Sequence, residues 1–90
     1  MTQRAVRVVV SGRVQGVGFR WSALDRAQAL GVDGWVRNLD DGSVEAWVEG
    51  DAHAVAQMID WLREGPAWAD VHRYQVSEQA PLNINGFHVR

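Results

Sequence analysis

The chain has 90 residues, with nine basic and eleven acidic side chains and a formal net charge of −2. That is room for one domain over residues 1–90 with a modest core, and the charge argues against a nucleic-acid binder held by a broad basic surface. No cysteine is present, which excludes disulfides, thiolate metal sites and a cysteine nucleophile together, and no lysine is present to form a Schiff base or complete a Walker-type phosphate loop.

Met1 to Arg4 lead directly into an alternating pattern, and no apolar stretch reads as a signal peptide or membrane span, so the expectation is a soluble, cytoplasmic protein. Ala5 to Ser11 reads as a strand with Val6, Val8 and Val10 on one face and Arg7 and Val9 on the other. Gly12 to Gly18 is broken by three glycines and is not regular throughout. A helix follows from about Phe19 to Leu30, with Trp21, Leu24 and Ala27 near helical spacing and Gly31 at its C-terminal cap.

Asp33 to Asn38 and Ser43 to Glu49 read as two strands joined by Leu39-Asp40-Asp41-Gly42, whose Asp-Gly pair favours a tight hairpin. Asp51 is a good N-cap for a second helix, in which Val55, Met58, Ile59 and Leu62 mark one buried face and Gly65-Pro66 the stop. Asp70 to Ser77 reads as a fourth strand and Gly86 to Arg90 as a short last one, with Pro81 and Asn83-Ile84-Asn85 in the loop between them. The order βαββαβ plus a short terminal strand predicts an α+β, ferredoxin-like split βαβ sandwich: an antiparallel sheet with both helices on one face. The helices are expected over the Val6/Val8/Val10 and Val44/Ala46/Val48 faces, leaving Arg7, Glu45, Trp47 and Glu49 on an open, amphipathic face. Such a fold hosts many functions, so activity has to be read from a site.

The stretch Gly12 to Arg20 joins the first strand to the first helix. Its glycines permit positive φ, which turns several N–H groups toward one point beside a helix N-terminus, and Arg20 adds a fork of charged donors. Together these suit a phosphoryl dianion. The loop lacks the Gly-Lys-Ser/Thr ending of a Walker motif, and Trp21 stands where a dinucleotide fingerprint needs a small residue. On the residues alone, an anion nest and a purely structural turn remain equal readings.

Gly12-Arg13-Val14-Gln15-Gly16-Val17-Gly18-Phe19-Arg20 resembles the acylphosphatase signature without a gap, and Gly34-Trp35-Val36-Arg37-Asn38-Leu39-Asp40-Asp41-Gly42-Ser43-Val44-Glu45 resembles that family's second signature. The spacing between them, Gly65-Pro66 and the terminal Phe87-His88-Val89-Arg90 also fit, so the resemblance spans essentially the whole chain. It implies hydrolysis of the carboxyl-phosphate bond of acyl phosphates, with catalysis by Arg20 and Asn38. Arg20 and the main-chain amides of Gln15, Gly16, Val17, Gly18 and Phe19 would hold the phosphate, and Asn38 would orient the attacking water. Leu39 stands where animal members often have threonine, and Gly18 where they tend to have cysteine.

An acyl phosphate is a mixed anhydride with a good leaving group, so positioning and charge stabilisation suffice; no metal or cofactor is expected. Asn38 is neutral and is no general base, but its carboxamide can hold a water, and the proton can pass to the substrate's own phosphate. Without the resemblance, an asparagine before a turn reads first as a turn residue.

His53, His72 and His88 are isolated in sequence and read as surface or structural residues, Asp40-Asp41 as turn formers, and Arg13 and Arg37 as solvated cations. The five tryptophans are scattered over both helices, two strands and a loop, which fits packing better than one stacking platform. Two other functions stay open. One is a carbamoyl-phosphate-handling module like the N-terminal domain of hydrogenase-maturation carbamoyltransferases, against which the absence of a transferase segment after Arg90 is set. The other is a non-enzymatic binding module for RNA or a small ligand, against which the first strand's lack of aromatics is set. The expected partner is a small acyl phosphate, with no nucleic acid, no membrane and a monomeric chain.

Overall fold

The computed structural model describes residues 2–90, so Met1, where the expected lead into the first strand begins, lies outside the described residues. Seven elements follow in order: β1 (Gln3–Arg13), α1 (Phe19–Leu30), β2 (Asp33–Asn38), β3 (Val44–Asp51), α2 (Ala52–Glu64), β4 (Asp70–Gln79) and β5 (Phe87–Val89). The strands form one sheet in the order β4-β1-β3-β2-β5. The first four strands pair antiparallel, and β5 pairs parallel with β2 through Gly34–Phe87, Trp35–His88 and Val36–Val89. The sheet is therefore mixed, a split βαβ sandwich extended by one terminal strand.

Period-two alternation sets the core. Val6, Val8 and Val10 of β1 lie opposite Val48, Ala46 and Val44 of β3, and all six are buried under the helices. From α2 come Val55, Met58 and Leu62, spaced three and four residues apart as one helical face requires. Asp51 caps that helix, its Oδ2 accepting from the N–H groups of His53 at 3.2 Å and Ala54 at 3.4 Å. The buried residues of α1 are Phe19, Ala23 and Ala27, with Leu24 partly buried. Trp21, which the spacing placed on the apolar face, is instead 62 % exposed: the small alanines let the helix lie close to its neighbours, and Trp21 projects away from that seam.

The other sheet face is less open than its polarity implied. Glu45, Trp47 and Glu49 are all buried. Glu45 lies between two guanidiniums, accepting from Arg37 Nε at 2.6 Å and from Arg7 Nε. Glu49 accepts the main-chain N–H groups of Leu82, Asn83 and Ile84 at 3.1, 3.1 and 3.2 Å and is also reached by Trp47 Nε1 at 3.3 Å. The loop that carries the chain from β4 to β5 is thus pinned across this face by one carboxylate. Burial pushes the Glu45 carboxyl up, but hydrogen bonds and charge from Arg37 and Arg7 outweigh it and hold the group below the usual carboxylate range. Among the described residues no helix is long and apolar enough to cross a membrane.

Candidate active site

β1 ends at Arg13 and α1 begins at Phe19, so residues 14–18 turn the chain from strand to helix within five positions. Gly16 and Gly18 both take left-handed φ of 76°, with Gly18 as the N-cap of α1 and no side-chain cap bond. A Cβ at either would meet nothing within 4 Å, so glycine is called for by the backbone conformation rather than by crowding. The consequence lies in the amides. From Gln15 to Arg20, no main-chain N–H has a hydrogen-bond acceptor among the described residues, because the first helical bond runs from Ser22 N to the Gly18 carbonyl. Six consecutive donors therefore lead into the positive end of a helix with no acceptor among the described residues.

Arg20 lies in the first turn of α1. Its Nη1 donates to the main-chain oxygen of Arg90 at 2.6 Å, which fixes where the guanidinium stands and leaves the rest of its fork without a hydrogen-bond partner among the described residues. Arg90 is itself placed by its N–H bond to the Val36 carbonyl at 2.9 Å and by its guanidinium lying 4.5 Å from the Trp35 ring centroid. The end of the chain and the start of α1 therefore meet beside β2.

Asn38 is the last residue of β2, exposed, and paired in register with Val44. Val14, Gly16, Gly18, Phe19, Arg20, Trp21 and Asn38 line one cleft of about 100 Å³. Two larger hollows lie elsewhere, about 360 Å³ between α1 and α2 and about 480 Å³ beside α2 and β4. Neither contains the unpartnered amides, so chemistry rather than size singles out the small cleft.

Of the residues expected at the site, Gly16, Gly18, Phe19, Arg20 and Asn38 meet in this cleft. Gln15 and Val17 stand in the loop with their side chains committed elsewhere: Val17 packs against the core, and Gln15 reaches the β2–β3 turn. Gln15 Nε2 donates to the main-chain oxygens of Leu39 at 2.7 Å and Ser43 at 2.9 Å, two carbonyls flanking the turn that follows Asn38. That cross-link is absent from the sequence expectation, which used only the Gln15 amide; no local pattern announces it. Asp41 holds the same turn by accepting from Ser43 N at 2.9 Å and from the Ser43 hydroxyl, and those bonds keep its carboxyl below the usual range.

The three histidines stay apart from the cleft. His53 is exposed, His88 Nε2 lies 2.8 Å from the Asn85 carbonyl, and His72 Nε2 lies 3.0 Å from Asp70 Oδ2, a carboxylate partner two residues away that the sequence reading did not anticipate. Among the described residues no group of three or more His, Asp or Glu side chains converges as metal ligands do. Arg37 is engaged with Glu45 and lies 5.3 Å from the Trp35 centroid rather than standing free.

Residues 6–89 match the acylphosphatase family model. An acylphosphatase of Thermococcus kodakarensis is 52 % identical over 80 residues, covering 89 % of this chain and 88 % of that protein. The solved structure of an acylphosphatase from Coxiella burnetii superposes with a TM-score of 0.93 at 38 % identity, over 98 % of this chain and 93 % of that one. HypF from T. kodakarensis superposes with a TM-score of 0.84 at 30 % identity, over 97 % of this chain but only 12 % of that one.

Proposed function

The chain belongs to the acylphosphatase family, and from that premise we propose that it hydrolyses acyl phosphates to a carboxylate and inorganic phosphate, acting alone and without a metal. The carrying observation is that the amides from Gln15 to Arg20 have no acceptor among the described residues, and that Gly16, Gly18, Phe19 and Arg20 of that run line one cleft with Asn38.

The amides and Arg20 bind the three non-bridging oxygens of the phosphoryl group, whose charge is spread over them in the transition state. A well-placed donor of this kind lowers the barrier by about 3–4 kcal/mol. The Asn38 carboxamide holds a water in line with the scissile bond. The water oxygen forms the new bond to phosphorus, the bond from phosphorus to the acyl oxygen breaks, and the acyl group leaves as its carboxylate. A carboxylate leaves without needing protonation, so no general acid is required, and the water's proton passes to a phosphoryl oxygen. Leu39 offers no hydroxyl beside Asn38, so the water depends on the amide alone.

Benzoyl phosphate turnover by wild type and Arg20→Gln tests this reading. The substitution is expected to lower kcat/KM by about a hundredfold or more and to abolish competitive inhibition by inorganic phosphate. Full activity in the variant would remove Arg20 from the mechanism.

A second reading is that the chain acts on carbamoyl phosphate, as the resemblance of its sequence to the N-terminal domain of hydrogenase-maturation carbamoyltransferases implies. Rates on carbamoyl and benzoyl phosphate measured side by side separate the two.

A further inference from the structure

The cleft is small for a whole acyl phosphate. Its volume of about 100 Å³ is well under the ~300–1,000 Å³ of pockets that enclose an entire ligand. A phosphoryl group fills it, and the acyl group then lies at the mouth. What the mouth offers that group follows by elimination among the lining residues. Val14 and Phe19 are buried in the core, Gly16 and Gly18 have no side chain, and Arg20 and Asn38 present polar groups. Trp21 remains: 62 % exposed, next in the helix to Arg20, and, among the described residues lining the cleft, the one apolar side chain that solvent can readily reach.

Exposure alone carries no weight, because single exposed hydrophobic side chains are ordinary. Trp68 is more exposed, at 79 %, and does not line the cleft. Position distinguishes Trp21, since a substrate whose phosphoryl group sits on Arg20 brings its acyl group into reach of the neighbouring indole.

We propose that Trp21 is a specificity-determining residue that receives the acyl group on its ring face, so that the enzyme favours acyl phosphates with flat aromatic or extended apolar acyl groups over small ones. This rests on the reading of the cleft as an acyl phosphate site. Aromatic contact beyond simple area burial is worth a roughly three- to tenfold effect on affinity, which an acetyl group is too small to collect.

The test is the ratio of kcat/KM on benzoyl phosphate to that on acetyl phosphate in wild type, Trp21→Ala, Trp21→Leu, Trp21→Phe and Trp68→Ala. The ratio should fall roughly three- to tenfold in Trp21→Ala and Trp21→Leu, through KM for benzoyl phosphate rather than kcat. Trp21→Phe should restore most of it, and Trp68→Ala should match wild type. A purely structural role for Trp21 moves both substrates together and leaves the ratio unchanged; that result, or a Trp68→Ala ratio as low as that of Trp21→Ala, overturns the proposal. Wild type that turns over acetyl phosphate upholds the underlying reading whatever the ratio does, whereas wild type inert on both substrates refutes the reading and this inference with it.

Discussion

Gln15 Nε2 lies 2.7 Å from the main-chain oxygen of Leu39, a hydrogen bond that ties the glycine loop to the residue following Asn38. With the second bond to Ser43, one amide group sets how far the unpartnered N–H groups stand from the end of β2. Displacements of about 1 Å in such arrangements cost on the order of a hundredfold in rate. Gln15→Met keeps the length and removes both donors. It is expected to lower kcat at least tenfold while inhibition by inorganic phosphate changes little, since the loop amides are main-chain groups. Steady-state kinetics with phosphate as inhibitor check this; a loss confined to phosphate affinity would contradict a positioning role.

Glu49 is the corresponding anchor on the opposite side of the sheet. It is 3 % exposed and receives three successive N–H groups of the β4–β5 loop. Hydrogen bonds to a charged acceptor contribute about 1.5–3 kcal/mol each, and Glu49→Ala leaves all three donors without it. A loss of roughly 3 kcal/mol or more is expected, which at this chain length lowers Tm by about 10 °C or more. Thermal unfolding measures it, and a Tm within two or three degrees of wild type would show that water replaces the carboxylate without cost.

How far the sequence revealed this arrangement depended on whether a feature was local. The valine alternation of β1, the Asp51 cap and the spacing of Val55, Met58 and Leu62 are short-range signals, and each corresponds to an element with nearly the expected bounds. The glycine loop and Asn38 were legible through two long motifs, and the fold brings both to one cleft. Contacts made across long separations were not legible. Gln15 reaches Leu39 over 24 positions and Glu49 reaches Leu82 over 33, and no periodicity encodes either. Trp21 misled for a related reason: its spacing matched a helical stripe, but Ala23 and Ala27 already form the close-packed seam.

Acid should act in part through Glu45. Its carboxyl titrates below the ordinary range in the folded protein because Arg37 and Arg7 favour the charged form more than burial opposes it. The unfolded chain, with carboxyls near ~4.3, takes up the proton at higher pH than the folded one. The stabilisation is therefore complete above that value and is lost as pH falls toward the folded value. Unfolding free energy measured from pH 7 to pH 3 should decline more steeply below about pH 5 in wild type than in Glu45→Gln. Parallel curves would remove Glu45 as the source.

The central question is whether a cleft of amides, one guanidinium and one carboxamide hydrolyses an acyl phosphate unaided. The direct measurement is benzoyl phosphate turnover in excess EDTA by wild type and Asn38→Ala, with the inhibition constant of inorganic phosphate taken for both. Wild type should turn over at an unchanged rate in EDTA, and Asn38→Ala should lose about a hundredfold in kcat while still binding phosphate. Turnover abolished by EDTA and restored by a divalent cation, or full activity in Asn38→Ala, would contradict it.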